Sequence, residues 1–301
     1  MILSRREFIS GLATVAAAFT CDKFFPLKGA LGKELPPDLV LVQGPSPQRI
    51  TRTAIDELGG MKRFISRGDV VVVKPNIGWD RTPEYAANTN PQVVSTLVQM
   101  CYEVGAKKVK VFDRTVANPQ RCYLQSGIAE AVKAVGGEVS FVHEKKFRDV
   151  KLPGNALKSW PLYVEALEAD KVINVPIAKN HGLTRLSLGM KNWMGIMGGW
   201  RGMIHQRINE SLVDISLIMK PTLIVLDCIR ILTDNGPQGG NLSDVKIMNT
   251  VVAGVDQVAV DAYGATLFGL KGSDIGYVNL GHELGVGVMD LTKLKIKYLK
   301  A

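Results

Sequence analysis

Cysteine is scarce in this chain, at four residues in 301. Cys21 lies close to the N-terminus, which leaves Cys101, Cys122 and Cys228. An odd set without a C-x-x-C spacing argues against a disulfide framework, and no protein-held iron–sulfur cluster is expected. Acidic side chains are also in deficit, 28 against 37 basic ones, for a formal net charge of +9. That balance favours anionic partners. Nucleic acid is not expected among them. The basic runs Lys107-Lys108-Lys110 and Lys145-Lys146 are short and lack interleaved aromatic residues, so they read as solvated turns beside strands. No apolar run reaches the ~20 residues that span a bilayer. Internal repeats are absent, as are the G-x-G-x-x-G, Walker, G-x-S-x-G and H-E-x-x-H signatures, so no named nucleotide, hydrolase or zinc-protease chemistry is supported.

What is present at the N-terminus is an address. Ser4-Arg5-Arg6-Glu7-Phe8-Ile9 is a twin-arginine pattern, followed by a mild apolar stretch from Gly11 to Phe19 and the small residues Ala16-Ala17-Ala18. Residues 1–34 therefore read as a signal and linker that engage the twin-arginine export machinery, for a periplasmic or otherwise exported protein. Phe19 and Thr20 are poor residues before a lipidated cysteine, so anchoring at Cys21 is not expected. Membrane contact is expected only through this segment.

Residues 35–301 read as a single α/β domain, with two lobes as the alternative. At 46% hydrophobic, the chain can build a large core. Strands are predicted at Leu39–Val42, Val70–Lys74, Lys108–Asp113, Val139–Val142, Lys171–Ala178, Thr222–Asp227 and Met248–Ala253. Helices are predicted over Pro47–Leu58, from Asn90-Pro91 to Gly105, and over Gly127–Val135, Glu210–Met219 and Asp256–Phe268. Their alternation predicts a mostly parallel sheet with helices on both faces. The tail alternates Leu294, Ile296 and Tyr298 with lysines, as a charged edge strand would.

Four apolar runs stop at polar residues: Lys74-Pro75-Asn76, Asp113-Arg114, Lys179-Asn180-His181 and Asp227-Cys228. Ligands of open α/β sheets bind beyond the carboxyl ends of the strands, so a site is expected there. His181 is the candidate acid/base, because neutral imidazole titrates near neutrality. Asp113 and Asp227 would orient it or hold a metal; Asp113 reads equally as an internal ion-pair partner, while the Gly236-Pro237-Gln238-Gly239-Gly240 loop downstream favours a site role for Asp227. Lys74, Asn76, Arg114, Lys179, Asn180, Lys191, Asn192, Arg201 and His205 are the candidate ligand-binding residues, with His205 on a loop that could close over the site. Met190, Trp193, Met194 and Met197 read as core at helical spacing. His143 and His282 lie among ordinary residues and are discounted, and Asp261 reads as buried structure as readily as site.

Val72-Val73-Lys74-Pro75-Asn76, Lys179-Asn180-His181, Lys191-Asn192-Trp193-Met194-Gly195, Gly236-Pro237-Gln238-Gly239-Gly240 and Asp256 to Tyr263 together resemble the family called domain of unknown function 362, over roughly residues 65 to 270. The resemblance implies no settled activity. Some members carry ferredoxin-like cysteine clusters, which this chain lacks; some carry twin-arginine signals. Two functions stay open. One is an exported enzyme acting on a small anionic molecule by acid/base or metal-assisted chemistry, with a divalent metal left open as cofactor. The other is a non-catalytic periplasmic binding protein for an anionic ligand or cofactor.

Overall fold

The computed structural model describes residues 35–301; the twin-arginine segment and Cys21 lie outside the described residues. In chain order, the elements are β1 (Leu39–Gln43), α1 (Pro47–Glu57), β2 (Val70–Pro75), α2 (Pro91–Glu103), β3 (Lys108–Val111), α3 (Pro119–Gln125), α4 (Ile128–Ala134) and β4 (Glu138–Val139). Then come β5 (Phe147–Lys151), β6 (Ser159–Tyr163), α5 (Val164–Leu167), β7 (Lys171–Val175), β8 (Ile177–His181), β9 (Arg185–Ser187) and α6 (Gly189–Asn192). The last are α7 (Ile208–Ile218), β10 (Leu223–Leu232), β11 (Val245–Gly254), α8 (Gln257–Thr266), α9 (Gly276–Glu283) and β12 (Ile296–Lys300).

The main sheet runs β12-β1-β11-β10-β7-β2-β3-β4, with β8 pairing both β10 and β9. Pairings β2–β3, β2–β7, β3–β4, β7–β10, β8–β10 and β1–β12 are parallel. Strand β11 joins its two neighbours antiparallel. The fold is thus α/β with a mostly parallel sheet, as the alternation of elements predicts. Its inner strands are buried on both faces, and their period of two sorts their side chains between two cores. Val71, Val73, Val109, Val225 and Val251 pack with Ile50, Val94, Leu97 and Val132 of α1, α2 and α4. Val72, Ile224, Leu226 and Val252 pack with Leu212, Val258 and Val278 of α7, α8 and α9.

Local chemistry sets the helix starts. Asn90 accepts from the Gln92 amide and is followed by Pro91; Asp256 accepts from the Val258 and Ala259 amides. Each cap satisfies an end N–H group and is worth about 1 kcal/mol. Several boundaries differ from those predicted, among them that of β3, which ends at Val111 and leaves Asp113 in the loop. The run predicted as one strand over Lys171–Ala178 breaks at Pro176, which has no N–H for the ladder, and resumes as β8 through His181. The strand predicted to end at Asp227 continues to Leu232, so Asp227 lies inside β10. The strand predicted over Val139–Val142 is only two residues, Glu138–Val139. Strand β12 is the expected edge, paired only with β1.

The two central strands position the site. From β2 the chain leaves towards α2 on one face; from β7 it leads to α6 and α7, on the other. Adjacent strands whose exits diverge leave a crevice between them. Lys74 and Asn174 face each other in register there.

Candidate functional site

A cavity of about 340 Å³ opens at this crevice. Its walls come from the segments after β2 (Asn76, Gly78, Trp79) and β3 (Asp113, Arg114, Val116), and from Pro176 and the β8 residues Ile177, Lys179 and His181. Ser187, Leu188, Lys191, Asn192, Met194 and Gly195 form another wall, and Arg201, His205 and Pro237 close it. Among the residues lining it, Lys179, Lys191, Arg114 and Arg201 are basic and Asp113 alone is acidic.

The floor is a buried polar network. Lys74 donates to Asp113 Oδ1 at 2.7 Å, to the Pro75 carbonyl at 2.8 Å and to Asn192 Oδ1 at 3.2 Å. Burial pushes its amine down, and Asp113 opposes that shift. Asp113 Oδ2 accepts from the Ile77 amide at 2.6 Å, so both of its oxygens are engaged. Asn192 donates to the Lys74 carbonyl and to Asn174 Oδ1, while its own Oδ1 also accepts from Asn76. Such a network is tolerable in a core only when its members are satisfied. Gly195 packs directly over it: a Cβ there would stand 1.7 Å from Asp113 Oδ1 and 2.5 Å from Lys74 Nζ.

Four basic groups differ in their partners. Lys179 Nζ donates to the Ala87 carbonyl at 2.5 Å and to Asn76 Oδ1 at 3.2 Å. Burial, then Lys191, pushes its amine down to about 7. Among the described residues Lys191 Nζ finds a hydrogen-bond partner only in the Met194 thioether, at 3.6 Å; burial and Arg201 push it down to about 8. Arg201 donates to the carbonyls of Arg114, Thr115 and Met194. Its guanidinium ties the segment Arg201–Arg207 to the loop after β3. Arg114 donates to the Met197 and Gly199 carbonyls, pairs with Glu144 at 3.1 Å and lies over the Phe147 ring.

His181 does not have the environment of a general base. Its Nδ1 accepts from the Leu183 and Thr184 amides at 3.1 and 3.3 Å. Burial, then Lys191 and Lys179, pushes its imidazole down to about 3. The ring is therefore neutral at pH 7 with its proton on Nε2. It offers one N–H donor, and its lone pair is already occupied. This corrects the acid/base expectation and removes the imidazole–carboxylate pair, because Asp113 is committed to Lys74 and Ile77.

Asp227 is also corrected. It is buried inside β10, away from the cavity lining. Its oxygens accept from the amides of Asn90 at 2.6 Å and Ile229 at 2.9 Å, which fixes the start of α2 against the sheet. Burial raises its carboxyl to about 6. Among the described residues no group of three or more His, Cys, Asp or Glu side chains gathers, at Asp113, Asp227 or elsewhere.

The remaining expected residues sort by position. Lys74 lies beneath the cavity, not on its lining. Asn180 is beside it: its Oδ1 accepts from the Gly236 amide at 3.0 Å. A Cβ at Gly236 would meet the Asn180 carbonyl oxygen at 1.9 Å, so the glycine lets Pro237 reach the cavity. His205 sits exposed on the rim. Asp261 is structural, accepting from the Gly189 and Met190 amides at the start of α6. Trp193 and Met197 are core, as predicted, but Met194 lines the cavity. Sequence reasoning passed over Asn174, which is fully buried and donates to the Gly189 carbonyl. The signal was present: an amide interrupting the apolar run Val172–Val175 needs a partner. Trp79 and Ser187 had no such signal.

The family model described as "Domain of unknown function (DUF362)" matches residues 71–266. A thylakoid-associated protein of Synechocystis sp. is 28% identical over 218 residues, 70% of this chain and 66% of that protein. The chain thus spans just under two thirds of that relative's length. The phosphoribosylformylglycinamidine synthase subunit PurL of Sulfolobus acidocaldarius is 29% identical over 175 residues, 52% of this chain but only 24% of that protein. Among solved structures, the lactate racemase apoprotein from Thermoanaerobacterium thermosaccharolyticum superposes with a TM-score of 0.50 at 12% identity, covering 76% of this chain and 56% of that one. At that identity the likeness concerns the fold.

Proposed function

The chain belongs to the family described as domain of unknown function (DUF362), and from that premise we propose that it binds a small anionic molecule in the cavity at the carboxyl ends of β2, β3 and β7. One observation carries the reading. Four basic side chains line the cavity, and the single carboxylate among them is already neutralised by Lys74. Excess positive charge in a partly dehydrated cleft attracts anions more strongly than the same charge at the surface. The walls Trp79, Ile177, Leu188 and Met194 suit an apolar body on the same ligand. The His181 Nε2–H adds a neutral donor.

Of the two readings the sequence leaves open, binding of an anionic ligand or cofactor draws on more of the geometry. The enzyme reading loses its imidazole base but gains another group. Lys179, with an amine near neutrality at the cavity wall, is the acid/base such an enzyme would use. Export by the twin-arginine route remains part of the proposal and rests on Arg5-Arg6 and the apolar stretch after them. No helix among the described residues is long and apolar enough to cross a membrane.

Titration calorimetry of the full chain with inorganic phosphate and with oxalate tests the reading. The expected result is one site per chain, weakened by salt and weakened about tenfold in Lys179→Met, which removes one charge-assisted contact. Absence of heat and of thermal stabilisation with both anions would overturn it.

A further inference from the structure

We propose that Lys191 is a nucleophilic amine that condenses with the carbonyl group of an anionic aldehyde or oxo-acid held in the cavity. The inference deepens the anion-binding reading and rests on it for the ligand's charged end. Of the three lysines in the site, Lys74 is locked to Asp113, and Lys179 donates to two oxygens. Lys191 has neither arrangement. Its Nζ touches a thioether, no carboxylate pairs with it among the described residues, and Arg201 stands nearby. An ammonium without an oxygen acceptor in a dehydrated site is costly. Desolvation beside another cation instead favours the neutral amine, whose lone pair is the nucleophile. The amine's lowered affinity for protons agrees with this geometry.

The backbone beneath it is fixed. Lys191 lies on α6, whose first two amides are held by the buried carboxylate of Asp261, and the next residue, Asn192, is anchored in the floor network. Lys179 and Arg201 line the same cavity and can hold a carboxylate or phosphate while the carbonyl faces Lys191. The chemistry balances without an oxidant or reductant. The amine lone pair forms a C–N bond to the carbonyl carbon, and the carbonyl π pair moves to oxygen. One proton passes from nitrogen to that oxygen, giving a carbinolamine; a second proton, from solvent, converts the hydroxyl to water, which departs as the nitrogen lone pair forms the C=N bond, and the iminium nitrogen returns a proton to solvent.

The test uses the wild-type full chain, glyoxylate as probe and cyanoborohydride to reduce the imine, followed by peptide mass mapping. Phosphate binding is measured in parallel by calorimetry. The expected outcome is a carboxymethyl group on Lys191 in at least about tenfold excess over any other lysine, as for a desolvated nucleophile, and suppressed by added phosphate. Phosphate binding without labelling of Lys191 would overturn the imine and leave anion binding standing. Labelling spread over exposed lysines overturns it too. Loss of both signals overturns both readings, and selective labelling without phosphate binding supports the amine while removing the anion site.

Discussion

Lys74 Nζ lies 2.7 Å from Asp113 Oδ1, with both side chains almost wholly buried beneath Gly195. The pair joins β2 to the segment after β3 and forms the floor of the cavity. A buried ion pair is costly to desolvate, and removing one partner leaves an uncompensated charge.

Asp113→Ala should therefore destabilise the protein by about 3–5 kcal/mol, the range for breaking a buried pair. Replacing both partners, as in Lys74→Met with Asp113→Leu, should recover much of that loss. Urea unfolding of the two variants checks this. Equal loss in both would show that the Ile77 and Asn192 contacts, rather than the charge balance, dominate.

His181 should not titrate between pH 5 and 8, because its imidazole is pushed down to about 3. The ring resonances followed by NMR should stay constant across that window. A midpoint near 6.5 would restore the acid/base role. His181→Ala should weaken anion binding about tenfold, the worth of one donor to a charged group, without moving the pH at which binding changes.

Anion affinity should fall as pH rises through about 7 and again through about 8, where Lys179 and Lys191 lose their protons. The other ionisable groups facing the cavity are Asp113 on Lys74, Arg114, Arg201, His181 and His205. Calorimetry from pH 6 to 9 reads the effect, and Lys179→Met should remove the lower step.

Stability of the ligand-free protein should pass through two opposed windows. The carboxyls of Asp227 and Asp261 are raised to about 6 and about 7, so the native state holds protons that the unfolded chain has released. Their contribution is present at low pH and is lost as pH rises through those values. Lys179 has the reverse sign. From about 7 upward to the unfolded lysine value, the unfolded chain binds the extra proton and stability rises. Asp227→Asn should flatten the fall and Lys179→Met the rise, as read from denaturation midpoints across pH.

Arg201→Lys should loosen the segment Arg201–Arg207, because a single ammonium cannot reach three carbonyls as the planar fork does. Amide exchange in Arg201–Arg207 should quicken, while the strands β2 and β7 stay protected. Unchanged exchange in that segment would show that buried Ile204 holds it instead.

The local pattern determined much of this protein. Near-continuous runs of Val, Ile and Leu set β1, β2 and the first half of β10; Asn90-Pro91 and Asp256 set the starts of α2 and α8; polar residues after β2 and β3 marked the rim where the cavity lies. Those signals work because backbone geometry and burial on two faces are imposed within a few neighbouring residues. Tertiary structure alone decided what the polar groups do. Asp113 and Asp227 look alike in sequence, yet one neutralises a buried lysine and the other holds the amides of Asn90 and Ile229. His181 was the expected base, yet two amides just after it in the chain occupy its lone pair, and in the cavity lining it is the amines of Lys179 and Lys191 that burial pushes down towards neutrality. Charge state depends on dehydration and on partners that arrive from distant segments, and the order of residues along a chain does not record which of them will meet.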